Sequence, residues 1–426
     1  ISLSNTETPE PDVTPLLDKA LALANTSRSQ RSIAEPWESG HTTGARMAVL
    51  VDLYSNPFYL PPFCQVFGAR YSGTRGAVSP MKLLDNTFDM LNLDDLTRKS
   101  GDYPGMSLID ALEQLQALHH RGLIESKYRS ELSATVDKWP EELQEAMSIL
   151  VQGFTQASLK RREALKNLSM EQIKKLNNDI QTWVQDPGTL DGSNFLNGVN
   201  DRFVTELKLL RKIDYTSLFN SARIMMEAVE FSRTRLEAAR EKLQVGSYDE
   251  IYLKFHSAAG TIIIGGMGVN RYYEDAALLI DLGGNDVYRN NAGGFIDEHD
   301  GVCCLIDMDG NDYYENLNPG TVGGTICGSG LLIDYDGHDT YRSDCLGQGS
   351  AICGVSMLYD ESGDDIWMGN VFTQGAALFG IGLAVDVGGN DAFHCKSLSQ
   401  GFASSLGAGI LVNVSGNDTY NAGPAW

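Results

Sequence analysis

The last third of this chain repeats one short pattern six times, and that repetition limits what it can fold into. "LLIDLGGNDVYR" begins at Leu278, "LIDMDGNDYYE" at Leu305 and "LIDYDGHDTYR" at Leu332. Aligned, the copies read apolar, apolar, Asp, x, x, Gly, x, Asp, x, aromatic. The leading acidic positions are Asp281, Asp307, Asp334, Asp360 and Asp386, with Asn413 in the last copy. The second acid recurs as Asp286, Asp312, Asp339, Asp365, Asp391 and Asp418, and the aromatic as Tyr288, Tyr314, Tyr341, Trp367, Phe393 and Tyr420. Successive copies are 26 or 27 residues apart. A period of this size signals a solenoid, a propeller or an array. Each unit holds apolar, β-prone runs of four to six residues split by glycine turns. It has no room for a helix and falls short of the roughly 40 residues of a propeller blade. The unit fits one coil of a parallel β-helix with two or three short strands. Right-handed winding is the default for parallel crossovers.

Equivalent residues then stack coil upon coil, about 4.8 Å apart. The aromatic column can stack ring on ring. Gln348, Gln374 and Gln400, each followed by Gly, can chain their side-chain amides. Cys327 and Cys353 are one period apart, so they should lie on adjacent coils. A disulfide is geometrically open to them, but in-register Cβ atoms sit slightly too far apart for good geometry, and two buried thiols are expected.

The three positions before the leading acid are apolar in nearly every copy, as in Leu278-Leu279-Ile280 and Leu331-Leu332-Ile333. Strand side chains alternate between faces, so both faces of this sheet are apolar. One lines the solenoid core. The other needs a cover, either from the chain's own helical region or from a protein partner.

The rest of the chain has a different grammar. Of its 44 glycines, 31 lie from Ile251 onward, where five Lys or Arg stand against 22 Asp or Glu. This break puts a domain boundary near residues 245–249. Residues 1–45, rich in Ser, Thr and Pro, read as an extended or disordered arm. Residues 46–248 read as a helical domain. "SLIDALEQLQALHHRG" is its clearest segment: Ser107 can cap with Asp110 as capping-box partner, and Leu108, Ala111, Leu112, Leu115 and Leu118 share one face. Similar patterns run over 141–154, 170–184, 200–210 and 217–243. The adjacent His119 and His120 point about 100° apart on a helix and make a poor metal pair.

A net charge of −23 over 426 residues argues against nucleic acid, whose phosphates must be neutralised by Lys and Arg. The helical region has no HExxH, Walker loop or nucleophile elbow, so no nucleotide site is expected. The seven cysteines form no CxxC or CxxCH, so neither haem attachment nor a zinc ribbon is expected. No run of about 18 apolar residues provides a transmembrane helix. The first residue is Ile1 rather than Met, and we read the chain as a mature exported protein, periplasmic or extracellular.

Two columns of stacked carboxylates repel each other unless something compensates. Backbone amides of each glycine-rich turn are one compensator. Calcium between coils is the other. The pattern resembles the RTX calcium-binding nonapeptide, Gly-Gly-x-Gly-x-Asp-x-apolar. "GGMGVNRY", Gly265–Tyr272, matches it best, with Asn270 in the Asp position. In the later copies the last Gly, the Asp and the apolar residue match, as in Gly284, Asp286 and Tyr288. That resemblance implies calcium held by Asp286, Asp312, Asp339, Asp365, Asp391 and Asp418. The first two glycines, backbone ligands in that family, are replaced, and the 26-residue spacing departs from contiguous nonapeptides. The overall pattern is similar to exported bacterial β-solenoid proteins with D-x-G-G-N-D-x-Y coils.

Pectate lyase-like enzymes resemble the expected architecture, and "GDD" at 363–365 resembles the clustered aspartates of polygalacturonase-like sites, though Asp365 already belongs to the repeat. The lyase-like enzymes need Lys or Arg beside the acids, and the tail has only Lys254, Arg271, Arg289, Arg342 and Lys396. Residues that break the repeat form a separate candidate. "FIDEHDG", 295–301, clusters Asp297, Glu298, His299 and Asp300, and Asp297 with His299 could hold a metal; a solvated loop is the plainer reading. The expectation is an α+β multidomain chain: an all-α N-terminal domain, then a parallel β-helix over residues 249–426 with coils of about 26 residues. It acts as a non-catalytic scaffold in assembly or adhesion, with calcium as a stabiliser. The rival is a polysaccharide-active enzyme.

Overall fold

The computed structural model describes residues 79–91, 93, 103–118, 124–185, 201–243, 251–295, 301–404 and 406–423. The expected arm (1–45), the boundary near 248, His119, His120 and the Asp297–His299 cluster lie outside these residues. Residues 74–89 and 93–426 belong to one compact unit. Among the described residues, no helix is long and apolar enough to cross a membrane.

Among the described residues, seven helices precede the strands: α1 (Pro80–Met90), α2 (Leu108–Ala117), α3 (Ser126–Val136), α4 (Glu141–Leu165), α5 (Met170–Gln185), α6 (Asp201–Leu210) and α7 (Tyr215–Arg240). Ser107 caps α2 by accepting the Asp110 N–H at 3.2 Å. Asp110 takes the Ser107 hydroxyl at 2.7 Å rather than closing the box on the Ser107 amide. Leu108, Ala111, Leu112 and Leu115 are buried, as their spacing predicts. Helix α4 runs eleven residues beyond the periodic segment read from sequence, because Gly153 does not end it. A Cβ there would lie 2.3 Å from the Ala228 Cβ, so the glycine lets α4 and α7 approach closely.

The strands form a β-solenoid of about five turns, with three strands per coil. A typical coil is β6 (Val302–Asp307), β7 (Tyr313–Asn316) and β8 (Thr325–Ile326), after which β9 (Ser329–Asp334) begins the next. The six-residue strands make one sheet, with β4 (Leu278–Asp281), β6, β9, β12 (Val355–Asp360), β15 (Ile381–Asp386) and β18 (Ala408–Asn413) in parallel order. The shorter strands make two further sheets, of seven and four strands. Copies stack in strict register: Asp307 pairs Asp334, Asp334 pairs Asp360, and Asp360 pairs Asp386.

One strand departs from the expected all-parallel winding. β1 (Ile251–Ser257) pairs antiparallel with β2 (Gly260–Gly265) and occupies the edge of the first coil. The chain reverses over Ala258 and Ala259, a hairpin that the repeat, starting later, does not signal.

The middle residue of each apolar triplet, Leu279, Leu305, Leu332, Leu358 and Ala384, joins the aromatic column in the solenoid core. Rings from Tyr272 through Tyr288, Tyr314, Tyr341, Trp367 and Phe393 to Tyr420 stack at centroid distances of 4.5–5.2 Å. The flanking residues point the other way, yet every residue of β6, β9, β12 and β15 is buried. Side chains of α4 and α7 reach this region. The Arg161 Nε–H donates to the Cys327 carbonyl at 2.8 Å, and Ser221 and Ser329 share a hydroxyl bond at 2.8 Å. Arg233 forks onto Glu361 at 2.7 and 2.8 Å while lying 4.3 Å over the Tyr335 ring. Cys327 and Cys353 are buried free thiols.

The glycine of the motif is set by its neighbour in the stack. A Cβ on Gly310, Gly337, Gly363 or Gly389 would meet the carbonyl oxygen of the equivalent glycine one coil earlier, at 1.4 to 1.8 Å. Gly363 also sits at φ +141°, a region that L side chains rarely enter. Overpacking and backbone strain each cost about 1–3 kcal/mol. Gly363→Ala is therefore expected to destabilise the chain by about 3 kcal/mol or more in urea unfolding. Gly105→Ala, where a Cβ meets nothing within 4 Å, should stay near wild type.

Candidate metal centre

Each core strand ends on its leading Asp. The glycine turn then brings the chain back so that the second Asp faces it, and stacking converts the pairs into two adjacent columns. Asp281, Asp307, Asp334, Asp360 and Asp386 are 0–1% exposed, and Asp286, Asp312, Asp339, Asp365 and Asp391 are 1–3% exposed. Carboxylate oxygens of Asp281, Asp286 and Asp307 lie within 4.8 Å of one another. So do those of Asp312, Asp334 and Asp339, of Asp339, Asp360 and Asp365, and of Asp365, Asp386 and Asp391.

The two columns are compensated differently. In the leading column, amides of the residue's own turn do serve the acid: Gly283 N–H donates to Asp281 Oδ1 at 2.8 Å, and Asp309 N–H to Asp307 Oδ1 at 3.1 Å. Tyrosine hydroxyls of the aromatic column add a second donor, from Tyr272 to Asp281, Tyr288 to Asp307, Tyr314 to Asp334 at 2.7 Å and Tyr341 to Asp360 at 2.5 Å. In the second column the donor comes from the coil before. Asp286 N–H donates to Asp312 Oδ1, Asp312 N–H to Asp339 Oδ1 and Asp339 N–H to Asp365 Oδ1, at 2.6 to 2.7 Å. The expectation that each turn answers its own acids therefore holds for Asp281, Asp307 and Asp334 of the leading column, but not for Asp360 or Asp386 and not for the second column. Stacking in register brings each second acid to the backbone amide of its equivalent one coil earlier.

One oxygen on each second acid remains. Oδ2 of Asp286, Asp312, Asp339, Asp365 and Asp391 is buried with no hydrogen-bond partner. No ion pair among the described residues reaches these acids; the cations of α7 and the strands engage Glu361, Asp309, Glu274 and Glu315 instead. Buried carboxylates left this way must take up protons or a cation. Burial, reinforced by neighbouring carboxylates, raises Asp281 to about 7, Asp386 to about 9, Asp286 to about 10 and Asp339 to about 11. All-oxygen clusters of this kind could hold a hard cation such as calcium.

Of the residues singled out in the sequence, Asp286, Asp312, Asp339, Asp365 and Asp391 are brought into these clusters. Asp418, in the last described coil, is only half-buried and accepts the Asp391 N–H at 3.1 Å. The leading column was not assigned as a ligand set, although its register is readable from the repeat. Tyr at four aromatic positions preceding a leading Asp was the available signal for the hydroxyl bonds. The Gln column does not chain its amides. Gln348 Nε2 donates to the Tyr341 and Met368 carbonyls, and Gln374 Nε2 to those of Trp367 and His394. Both residues sit at positive φ, and each amide bridges a backbone carbonyl of its own coil and one of the next. Asn270 in the RTX-like stretch is the first rung: its N–H donates to Asp286 Oδ1 at 2.6 Å and its Nδ2 to Asp281 Oδ2 at 2.9 Å.

Two outcomes follow from this geometry. Tyr341→Phe removes the hydroxyl serving buried Asp360 and Asp334, and is expected to cost about 1–3 kcal/mol in chemical unfolding. The second concerns pH in the presence of chelator, when protons alone compensate the columns. Folded values raised above the unfolded value of about 3.9 contribute stability that is present below that value and is lost as pH rises through the folded ones. With Asp281 raised to about 7 and Asp286 to about 10, the melting temperature in chelator should fall steadily between about pH 6 and about pH 10. A flat profile there would show that the columns carry no such proton linkage. No family model, curated protein or solved structure matches this chain, so its role is argued from this geometry.

Proposed function

We propose that this chain is a non-catalytic scaffold, a β-solenoid strut bearing a helical layer, that serves in assembly or adhesion. One observation carries the reading: the repeated acids, the strongest chemical signal in the sequence, face inward and are spent on holding coils together. Asp365 of the "GDD" stretch is 1% exposed, and its Oδ1 accepts the Asp339 N–H at 2.7 Å. A polysaccharide cannot reach such a carboxylate, and catalysis needs the acid within hydrogen-bond reach of the substrate. In this reading α4 and α7 are the cover of the outer sheet face, through Arg161, Ser221, Arg233 and Arg240. An exported setting suits it, and calcium belongs to it as a structural ion.

The test is incubation of the purified chain with polyuronate, neutral and sulfated polysaccharides in millimolar calcium, followed by assay for new reducing ends. No release is expected from any of them. Saturable cleavage would overturn the scaffold reading in favour of a glycan-active enzyme. In that case its site would lie outside the buried columns, and Asp365→Asn would leave the residual activity in place.

A further inference from the structure

We propose that the rung formed by Asp365, Asp386 and Asp391 binds one divalent cation, of the size and hardness of calcium, and that this rung is the one that requires it. The leading acids before it are each served by hydroxyls. Asp281 accepts from Tyr272, Asp307 from Tyr288, Asp334 from Tyr314 and Tyr341, and Asp360 from Tyr341. In every case the donor comes from the aromatic column of the coil before or of the same coil. For Asp386 those two rings are Trp367 and Phe393, which pair with each other in register. Neither carries a hydroxyl. Trp367 Nε1, the one donor that could substitute, makes no hydrogen bond.

The consequence is visible at Asp386. It is 0% exposed, and both its oxygens lack a hydrogen-bond partner. Its own turn, which serves Asp281 and Asp307, gives it nothing. Asp365 and Asp391 have committed Oδ1 to the Asp339 and Asp365 amides, and their Oδ2 atoms are also unpartnered. Four acid oxygens on these three side chains thus lack a donor, and one oxygen from each of the three lies within 4.8 Å of the others. At the next rung the preceding ring is again a phenylalanine, Phe393, but the same-coil ring is Tyr420, and the leading residue is the neutral Asn413. Asp386 is thus the leading residue, among the described coils, for which neither ring offers a hydroxyl.

Carboxylate oxygens alone select a hard cation over zinc or copper. Calcium accepts irregular and bidentate carboxylate sets, whereas magnesium keeps several waters in a strict octahedron, which atoms out of solvent reach do not favour. The inference does not rest on the scaffold reading, because an ion so enclosed is structural whether or not the chain has an activity elsewhere.

The experiment uses the full chain, stripped with chelator and dialysed, then titrated with calcium chloride by calorimetry alongside thermal melts. One equivalent is expected to bind, and calcium should raise the melting temperature, since a ligand held only by the folded state stabilises it. Asp386→Asn copies the substitution already present at Asn413, so it should fold. It should lose the calcium response and melt higher than wild type in chelator. Asp334→Asn, at a rung with two hydroxyls, should keep one equivalent. Trp367→Tyr restores a donor to Asp386 and should weaken calcium binding at least tenfold. Wild type that neither binds calcium nor shifts its melting temperature would overturn the proposal and leave Asp386 protonated. Binding that survives Asp386→Asn would overturn it equally. Neither result would touch the scaffold reading, which fails only on polysaccharide cleavage.

Discussion

The architecture depends on a hydrogen bond that crosses between coils. Each second Asp reaches the backbone N–H of its equivalent one coil back, from Asn270 to Asp286 through to Asp391 and Asp418. A strand slipped by one residue would turn every side chain to the opposite face, exposing the aromatic column and detaching these carboxylates from their amides. The buried acid is costly unless paired, so the alternative registers are penalised heavily. The glycine column follows from the same stacking: where the carboxylate draws one coil onto the next, the turn backbones touch, and only a residue without Cβ fits between them.

How much of this was legible in the sequence depends on the distance over which each feature is determined. The coil length, the columns and the ring stacking follow from a fixed period and strand alternation, both local properties, and were readable before any coordinates. The Ser107 cap and the buried face of α2 were readable for the same reason. The donor to each second acid was not, because a turn's own amides and those of its stacked neighbour look equivalent in one dimension. Nor were the positive φ values at Gln348 and Gln374, which non-glycine residues rarely adopt. The antiparallel β1 lies before the first copy, where the period gives no guide. At the candidate site, the second acids were singled out but their partners were not. Recognising Asp386 required comparing the aromatic of one coil with the leading acid of the next, a correlation between positions 19 residues apart.

The placement of the acids also changes what the composition means. The chain's formal charge is −23, and on its face that describes a repulsive, strongly acidic surface. Ten aspartates of the two columns are instead buried at 3% exposure or less, and burial raises those with the clearest shifts. Their charge is answered inside by amides, hydroxyls, protons or an ion, so the surface is less acidic than the sum suggests. Arguments from net charge against anionic partners therefore lose part of their force for this chain, while those from the sealed position of the acids gain it.

The ends of the columns show the same economy of charge. The amide that opens the second column belongs to Asn270, a neutral rung that donates both to Asp286 and to Asp281. The leading column closes on Asn413, whose side chain stands where the preceding aromatic, Phe393, offers no hydroxyl. At the first end an ionised group would lack the preceding coil that supplies its donor. The repeat thus carries a rule that links aromatic to acid: each leading acid from Asp281 to Asp360 is met by a tyrosine hydroxyl. Asp386 beside Trp367 is the one interior rung that departs from the rule, which is why the compensating charge is to be sought there.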